Sequence, residues 1–241
     1  MRRLMKRVLV AGAGGGIGLA LIDALASRAD VERVYALHRR EVSSTSSRIT
    51  WLTADLLRRD EVESAVAQIR EAGGLDALIV SSGLLHQGAM QPEKSLADLD
   101  PQHLLDLYAA NAVGPLTLLQ SCRRMFRSSE SSVICFLSAQ VGSIGDNRLG
   151  GWYGYRMAKA ALNMAVKTAA IELARDRNAP TVVAVHPGTT GTALSHRFTR
   201  RRQQPVSTPH ECAERLLTML ESLPADQNGA FLNYDGVALP W

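Results

Sequence analysis

The sequence predicts an α/β protein built on a doubly wound parallel sheet of seven strands flanked by helices, and three observations predict it. Short apolar runs recur along the chain, stretches of helical period separate them, and a glycine-rich turn joins the first run to the first helix. The runs are Val8 to Ala11, Val34 to Leu37, Ile49 to Leu52, Ala77 to Val80, Val133 to Leu137, Val182 to His186, and Phe231 to Leu232. They are continuously apolar, which suits strands covered on both faces. Between them Ile17 to Ala29, Glu61 to Ala72, Pro101 to Phe126, Tyr155 to Arg175 and Pro209 to Leu223 carry apolar residues at helical spacing with few breakers. Alternation of the two element types implies parallel strands joined by crossover helices. No repeat or low-complexity linker interrupts it, and residues 1–241 are enough for one large α/β domain or two small ones. The most irregular segments, Ser138 to Gly151 and Thr189 to Pro209, follow predicted strands. Ligands of such sheets bind outside the carboxyl ends of the strands, so residues 189–209 read as a substrate loop, the other reading being a mobile surface loop.

A chain of 241 residues, 46% hydrophobic and 21% charged, has the composition of a soluble globular protein. Its net charge of +4 is modest and carried mostly by scattered Arg residues, which argues against a nucleic-acid partner; Arg200-Arg201-Arg202 is the local exception. Cys122, Cys135 and Cys212 are far apart and form no CxxC pair. They indicate neither a disulfide framework nor a zinc site, but buried thiols in a reducing compartment. The basic start, Met1 to Arg7, is followed by an apolar run of only Val8 to Ala11, too short for a signal peptide or a membrane span. A cytoplasmic protein with no metal and no membrane partner is expected.

Val8 to Ala11 runs directly into Gly12-Ala13-Gly14-Gly15-Gly16-Ile17-Gly18, and a helix follows. Glycines allow a tight turn and close approach to a pyrophosphate, while the helix amino terminus adds N–H groups and the positive end of its dipole. The spacing G-x-G-x-x-G from Gly12 fails at Ile17; Gly12, Gly16 and Gly18 fit G-x-x-x-G-x-G, and without a following Lys this is not a P-loop. At the end of the second run, where an acidic residue would bind both ribose hydroxyls of NAD, the chain has His38-Arg39-Arg40. Arg39, with Arg40, would instead pair with a 2′-phosphate, so NADP(H) is expected in preference to NAD(H); the other reading is a solvated Arg pair beside Glu41. Asp55, with Leu56 beside it, follows the third run and either accepts a hydrogen bond from the adenine amino group or caps a helix.

Tyr155-Arg156-Met157-Ala158-Lys159 sets a phenol and an ammonium four residues apart, on one face of a helix. A cation held close favours the phenolate, which would bring Tyr155 into range for proton exchange near neutral pH. With Gly12-x-x-x-Gly16-x-Gly18, Asp55, Asn111, Ser138, Tyr155-x-x-x-Lys159 and Pro187-Gly188 in this order, the chain resembles the short-chain dehydrogenase/reductase family over nearly its whole length. His186 to Ser195 and Tyr234 to Trp241 are similar to the bacterial C-factor and carbonyl-reductase branch. The resemblance implies a single Rossmann-type domain and NADP(H)-dependent hydride transfer between nicotinamide and a carbonyl or alcohol substrate. The alternative is a non-enzymatic NADP-binding regulator of the same fold, against which an intact acid/base group argues.

By the same resemblance Ser138 hydrogen-bonds the substrate carbonyl and Tyr155 is the general acid and base. Lys159 lowers the Tyr155 pKa and holds the nicotinamide ribose, and Asn111 binds through its backbone a water linking Lys159 to solvent. The other reading of Asn111 is a helix-interior side chain bonded locally. Pro187, Gly188, Thr190 and Thr192 would flank the nicotinamide carboxamide. Val80-Ser81-Ser82-Gly83 departs from the family's usual Asn-Asn-Ala-Gly: Gly83 keeps the close approach to the adenine ribose, and the hydroxyls of Ser81 and Ser82 replace some of the Asn hydrogen bonds. The interval from Ser138 to Tyr155 is also longer than the family's, through extra loop around Asp146 to Gly151. Leu84, Val141, Ile144, Trp152, Leu194 and Phe198 are candidate pocket lining, suited to a carbonyl compound with apolar bulk. Family members pair through the helices corresponding to Pro101 to Phe126 and Tyr155 to Arg175, so a homodimer or homotetramer is expected.

Overall fold

The computed structural model describes residues 3–39, 46–126, 132–176, 179–199 and 206–241; Arg40 and the Arg200-Arg201-Arg202 cluster lie outside them. All seven expected strands form: β1 (Arg7–Ala11), β2 (Arg33–His38), β3 (Ile49–Thr53), β4 (Ala77–Val80), β5 (Val133–Leu137), β6 (Thr181–His186) and β7 (Phe231–Asn233). They make one parallel sheet in the order β3-β2-β1-β4-β5-β6-β7. From β1 the sheet grows outward to β3, then resumes at β4 on the other side of β1. The order therefore reverses between β1 and β4, and a crevice opens at their carboxyl ends.

The helices are α1 (Gly16–Ser27), α2 (Arg59–Glu71), α3 (Pro101–Tyr108), α4 (Gly114–Cys122), α5 (Tyr153–Leu173), α6 (His196–Thr199) and α7 (Pro209–Ser222). Successive strand residues point to opposite layers. Leu9 and Ala11 of β1, Leu78 and Val80 of β4, and Ile134 and Phe136 of β5 pack beneath α2, α4 and α5. Val8 and Val10, Ala77 and Ile79, and Val133 and Cys135 face α1 and α7. This is why the strands read as unbroken apolar runs: both faces are buried. The three cysteines are unpaired and buried, and among the described residues no helix is long and apolar enough to cross a membrane.

Helix starts follow local chemistry. Asp100 accepts from the N–H groups of Gln102 and His103 with Pro101 opening α3, and Thr208 and Glu211 form a reciprocal capping box around Pro209 at α7. One expectation is corrected. Pro101 to Phe126 is not a single helix: α3 passes through a π-helical turn, Ala109–Val113, into α4, which ends at Cys122, and Phe126 forms a bridge with Leu75. Pro115 has no N–H to give the carbonyl of Asn111, four residues back, and the chain widens there so that Gly114 N–H reaches Ala109 O.

Candidate active site

A cavity of about 430 Å³ lies at the carboxyl ends of the central strands. It is lined by the expected residues Gly12, Gly16, Ile17, Gly18, Arg39, Asp55, Leu56, Ser81, Ser82, Gly83, Ser138, Tyr155, Lys159, Pro187 and Thr192. Gly12 has φ +85°, and a Cβ there would stand 2.5 Å from the Ser82 backbone nitrogen, so only glycine lets the end of β4 lie against the turn. Ser81 ties β4 to β1, its N–H and its hydroxyl both donating to Ala11 O at 2.8 Å. The N–H groups of Gly12 and Ala13 donate to Leu37 O at 3.1 Å, which sets the turn beside the end of β2 and brings Arg39 to the cavity wall. Asp55 is not the cap of α2, which is Arg58. Its Oδ1 accepts from Leu57 N–H at 3.0 Å, shaping a tight turn at the cavity edge.

At the other end, Tyr155, Lys159 and Asn163 share one face of α5 and are all buried. Lys159 Nζ donates to Leu137 O at 2.9 Å and lies 5.7 Å from the centre of the Tyr155 ring. Burial pushes the Lys159 ammonium down to about 8 and pushes the Tyr155 phenol up from its ordinary value. The net shift of Tyr155 is therefore upward, against the expected lowering, because burial outweighs the nearby Lys159 ammonium. The ammonium sits over the ring and bonds a main-chain carbonyl, desolvation dominates, and Tyr155 holds its proton. Ser138 follows β5, anchored by its N–H on Val185 O at 2.8 Å, and its hydroxyl donates to Asn163 Oδ1 at 2.6 Å.

Three expected residues do not line the cavity. Asn111 is fully buried behind it: Nδ2 donates to Leu84 O and Leu107 O at 2.8 Å, and Oδ1 accepts from Leu84 N–H at 3.1 Å, clamping the segment after β4 to the π-helical turn. Gly188, with φ +78°, packs against the Tyr234 ring. Thr190 is buried with its hydroxyl on Gly188 O at 3.5 Å, and its own carbonyl accepts from Ser195 Oγ.

A family model described as short chain dehydrogenase matches residues 6–203. This chain belongs to the short-chain dehydrogenase family. The carbonyl reductase Sniffer of D. melanogaster superposes with a TM-score of 0.86 at 26% identity, covering 98% of this chain and 100% of that one. An NADPH-bound carbonyl reductase from chicken fatty liver shares the fold, with a TM-score of 0.86 at 24% identity over 100% of this chain and 96% of its own. The C-signal protein of Myxococcus xanthus is 28% identical over 70% of this chain and 94% of its own length.

The roles of His38, Glu93, Arg156 and Asn163 in this short-chain dehydrogenase site went unread in the sequence, as did the backbone of Trp152, which was expected only as pocket lining. His38 lies over the glycine turn, where a Cβ on Gly14 would strike its imidazole. Trp152 is the one described non-glycine residue with positive φ, 54°, directly after Gly150 and Gly151 at 65° and 64°. Holding a tryptophan there costs about 1–2 kcal/mol. Two buttresses hold it: Trp152 N–H donates to Glu93 O at 2.6 Å, and Arg156 donates to the carbonyls of Gly150, Gly151 and Val141. The buried Glu93 carboxylate also accepts from Gly154 N–H at 3.2 Å, fixing the first turn of α5. The indole consequently meets the Tyr155 ring at 6.3 Å and Phe198 at 4.9 Å. Of the expected wall residues, Leu84 and Leu194 line the cavity, and Trp152 and Phe198 close on each other beside it. Ile144 is a correction, being 78% exposed. Asn163 carried one legible signal, its place four residues beyond Lys159.

Proposed function

We propose that this chain is an NADP(H)-dependent carbonyl reductase in which residues 1–241 form one domain and Tyr155 is the general acid and base. The observation that carries the reading is a single cavity with a glycine turn and Arg39 at one end and buried Tyr155 with Lys159 and Ser138 at the other. The residues present fit the cofactor: Ser82 Oγ is buried on the cavity wall with no hydrogen-bond partner, where the hydroxyl of a ribose would satisfy it. The glycine turn would hold the pyrophosphate, Arg39 the 2′-phosphate, and Asp55 with Leu56 the adenine. Lys159 would hold the nicotinamide ribose, with Pro187 and Thr192 at the carboxamide. When bound, NADPH supplies a hydride to the carbonyl carbon.

Tyr155 donates its proton to the carbonyl oxygen, a step worth about 10² to 10⁴-fold. Lys159, positively charged below about pH 8, lies over the Tyr155 ring and offsets the phenolate that proton donation leaves behind. The carbonyl of Asn111, relieved of its usual helical partner by Pro115, would bind the water through which the proton is replaced. Titrating aldehydes, ketones and quinones against NADPH and NADH tests the reading. Turnover with NADPH in preference to NADH is expected; tight NADPH binding without turnover of any compound would favour a regulatory role instead.

The exposed apolar residues Tyr108, Val113 and Leu116 edge a groove of about 570 Å³ between α4 and α5, and Met164 and Ile171 are exposed on α5. They support pairing of two copies through these helices, as a homodimer or homotetramer. Light scattering that finds only a monomer would remove this part of the reading.

A further inference from the structure

We propose that the segment after β7 belongs to the Tyr155 end of the cavity: Trp241 is a positioning residue that braces the long loop between Ser138 and Tyr155. The inference rests on the reductase reading for what the brace serves, and on the structure alone for the brace itself. It joins two features that the proposed function leaves without a role, the segment Tyr234 to Trp241 and the extra loop around Asp146 to Gly151.

β7 ends at Asn233, and the chain reverses through Gly236, whose φ is +83°. It returns antiparallel along β7: Asn233 N–H donates to Val237 O and Leu239 N–H to Phe231 O, both at 2.8 Å. The return covers main-chain groups that the last strand of a sheet leaves open. It also delivers Trp241 onto Phe231, with ring centres 5.6 Å apart and planes 27° from parallel. Phe231 is 1% exposed and belongs to the core beneath α2, α4 and α5, whereas Trp241 is 39% exposed. The stack therefore fixes the main chain of Trp241 to the core, and its main-chain oxygen accepts from Gly145 N–H at 2.8 Å.

Gly145 stands in a stretch that lacks core packing, since residues 144–150 are all exposed. Bonds within the loop are local: Asp146 N–H donates to Ser143 Oγ at 3.0 Å, Gln140 Nε2 to Asp146 Oδ2 at 2.7 Å, and Gly150 N–H to Asn147 Oδ1 at 3.1 Å. Arg156 holds the far end of the stretch through Gly150 O, and Trp241 holds the near end. The near end leads to the reacting groups within a few residues. Gln140–Gly142 form a tight 3-10 turn in which the buried Ser143 donates its N–H to Gln140 O at 2.9 Å. Gly142 then lies so close to α5 that a Cβ on it would stand 2.8 Å from Lys159 Cβ. Packing this close leaves no slack, so displacement of Gly145 is passed through the turn to Lys159 on one side and to Ser138 on the other. Trp241 acts through the loop and touches no reacting group.

Two variants test the brace. Trp241→Ala removes the ring and keeps the main-chain oxygen, and Trp241→Phe keeps a stacked ring. Hydrogen exchange in the free protein reads the contact: the Gly145 amide should exchange about 2- to 10-fold faster in Trp241→Ala with the amides of β5 and β6 unchanged, and Trp241→Phe should restore wild-type exchange. Steady-state kinetics read its consequence. With a carbonyl compound that the wild type reduces, Trp241→Ala should lower kcat about tenfold per NADPH-binding site, with a smaller effect on the NADPH dissociation constant, and Trp241→Phe should recover kcat. Unchanged exchange at Gly145, acceleration spread evenly over the sheet, or wild-type kcat in Trp241→Ala would overturn the inference. Turnover of no carbonyl compound by the wild type would sink the reductase reading instead, and exchange at Gly145 would then decide whether Trp241 braces the loop.

Discussion

Around Gly14 to Gly16 the cavity is edged by main-chain atoms of an exposed turn, whereas around Ser138 it is edged by Tyr155 and Lys159, side chains buried against the sheet. The glycine turn at the first end would recognise through shape, with main-chain amides as its polar groups and Arg39 and Asp55 beside them. The second recognises through titratable groups whose pKa values burial has moved. Steric change should therefore disable the first end, while removal of a single atom should disable the second.

The largest effect is expected at the reactive end. Tyr155→Phe deletes one oxygen and should reduce carbonyl turnover about 10² to 10⁴-fold with NADPH binding unchanged; steady-state kinetics paired with fluorescence titration of NADPH would show the split. At the glycine turn, Gly12→Val meets both a positive φ and the Ser82 backbone, so urea unfolding should report a loss of about 2–4 kcal/mol together with loss of NADPH affinity.

The pH dependence belongs to the reactive end. Lys159 is held down to about 8 in the folded protein against the ordinary lysine value of 10.5, so between these limits the unfolded chain binds more protons and stability rises with pH. From pH 8 to 9.5 the wild type should gain about 1–2 kcal/mol relative to Lys159→Met. The raised Tyr155 acts in the opposite sense at higher pH, because there the unfolded chain loses a proton that the folded one keeps. Melting curves of the two proteins across this range measure the difference. The smallest effect is expected at the rim of the nucleotide end, where Arg39→Ala should weaken NADPH about tenfold and leave NADH unchanged.

The same contrast explains what the sequence disclosed. Strands buried on both faces announce themselves as apolar runs, and Gly12, Gly16 and Gly18 are readable because backbone recognition restricts residue type at fixed spacing. Tyr155 and Lys159 are readable because a helix converts spacing into facing. Asn163 continues that face, but its partner Ser138 is distant in the chain and meets it only after Gly142 has packed on α5. The π-helical turn at Asn111 was hidden because the apolar pattern runs on through Pro101 to Phe126, while its cause, a proline four residues beyond Asn111, alters hydrogen bonds and not hydrophobicity. In loops the relation between sequence and facing disappears: Ile144 was expected in the wall and is exposed, and Thr190 was expected at the cofactor and turns inward. Trp152 shows the same limit, since two glycines foretell a left-handed turn but not that a tryptophan completes it, held from Glu93 and Arg156.

The most direct measurement supplies NADPH deuterated at C4 with a panel of aldehydes and ketones and follows the label into the alcohol products by mass spectrometry. The wild type should deliver deuterium to the former carbonyl carbon and Tyr155→Phe should not, although both bind NADPH. Bound NADPH with no label in any product, or label delivered equally by Tyr155→Phe, would contradict the account.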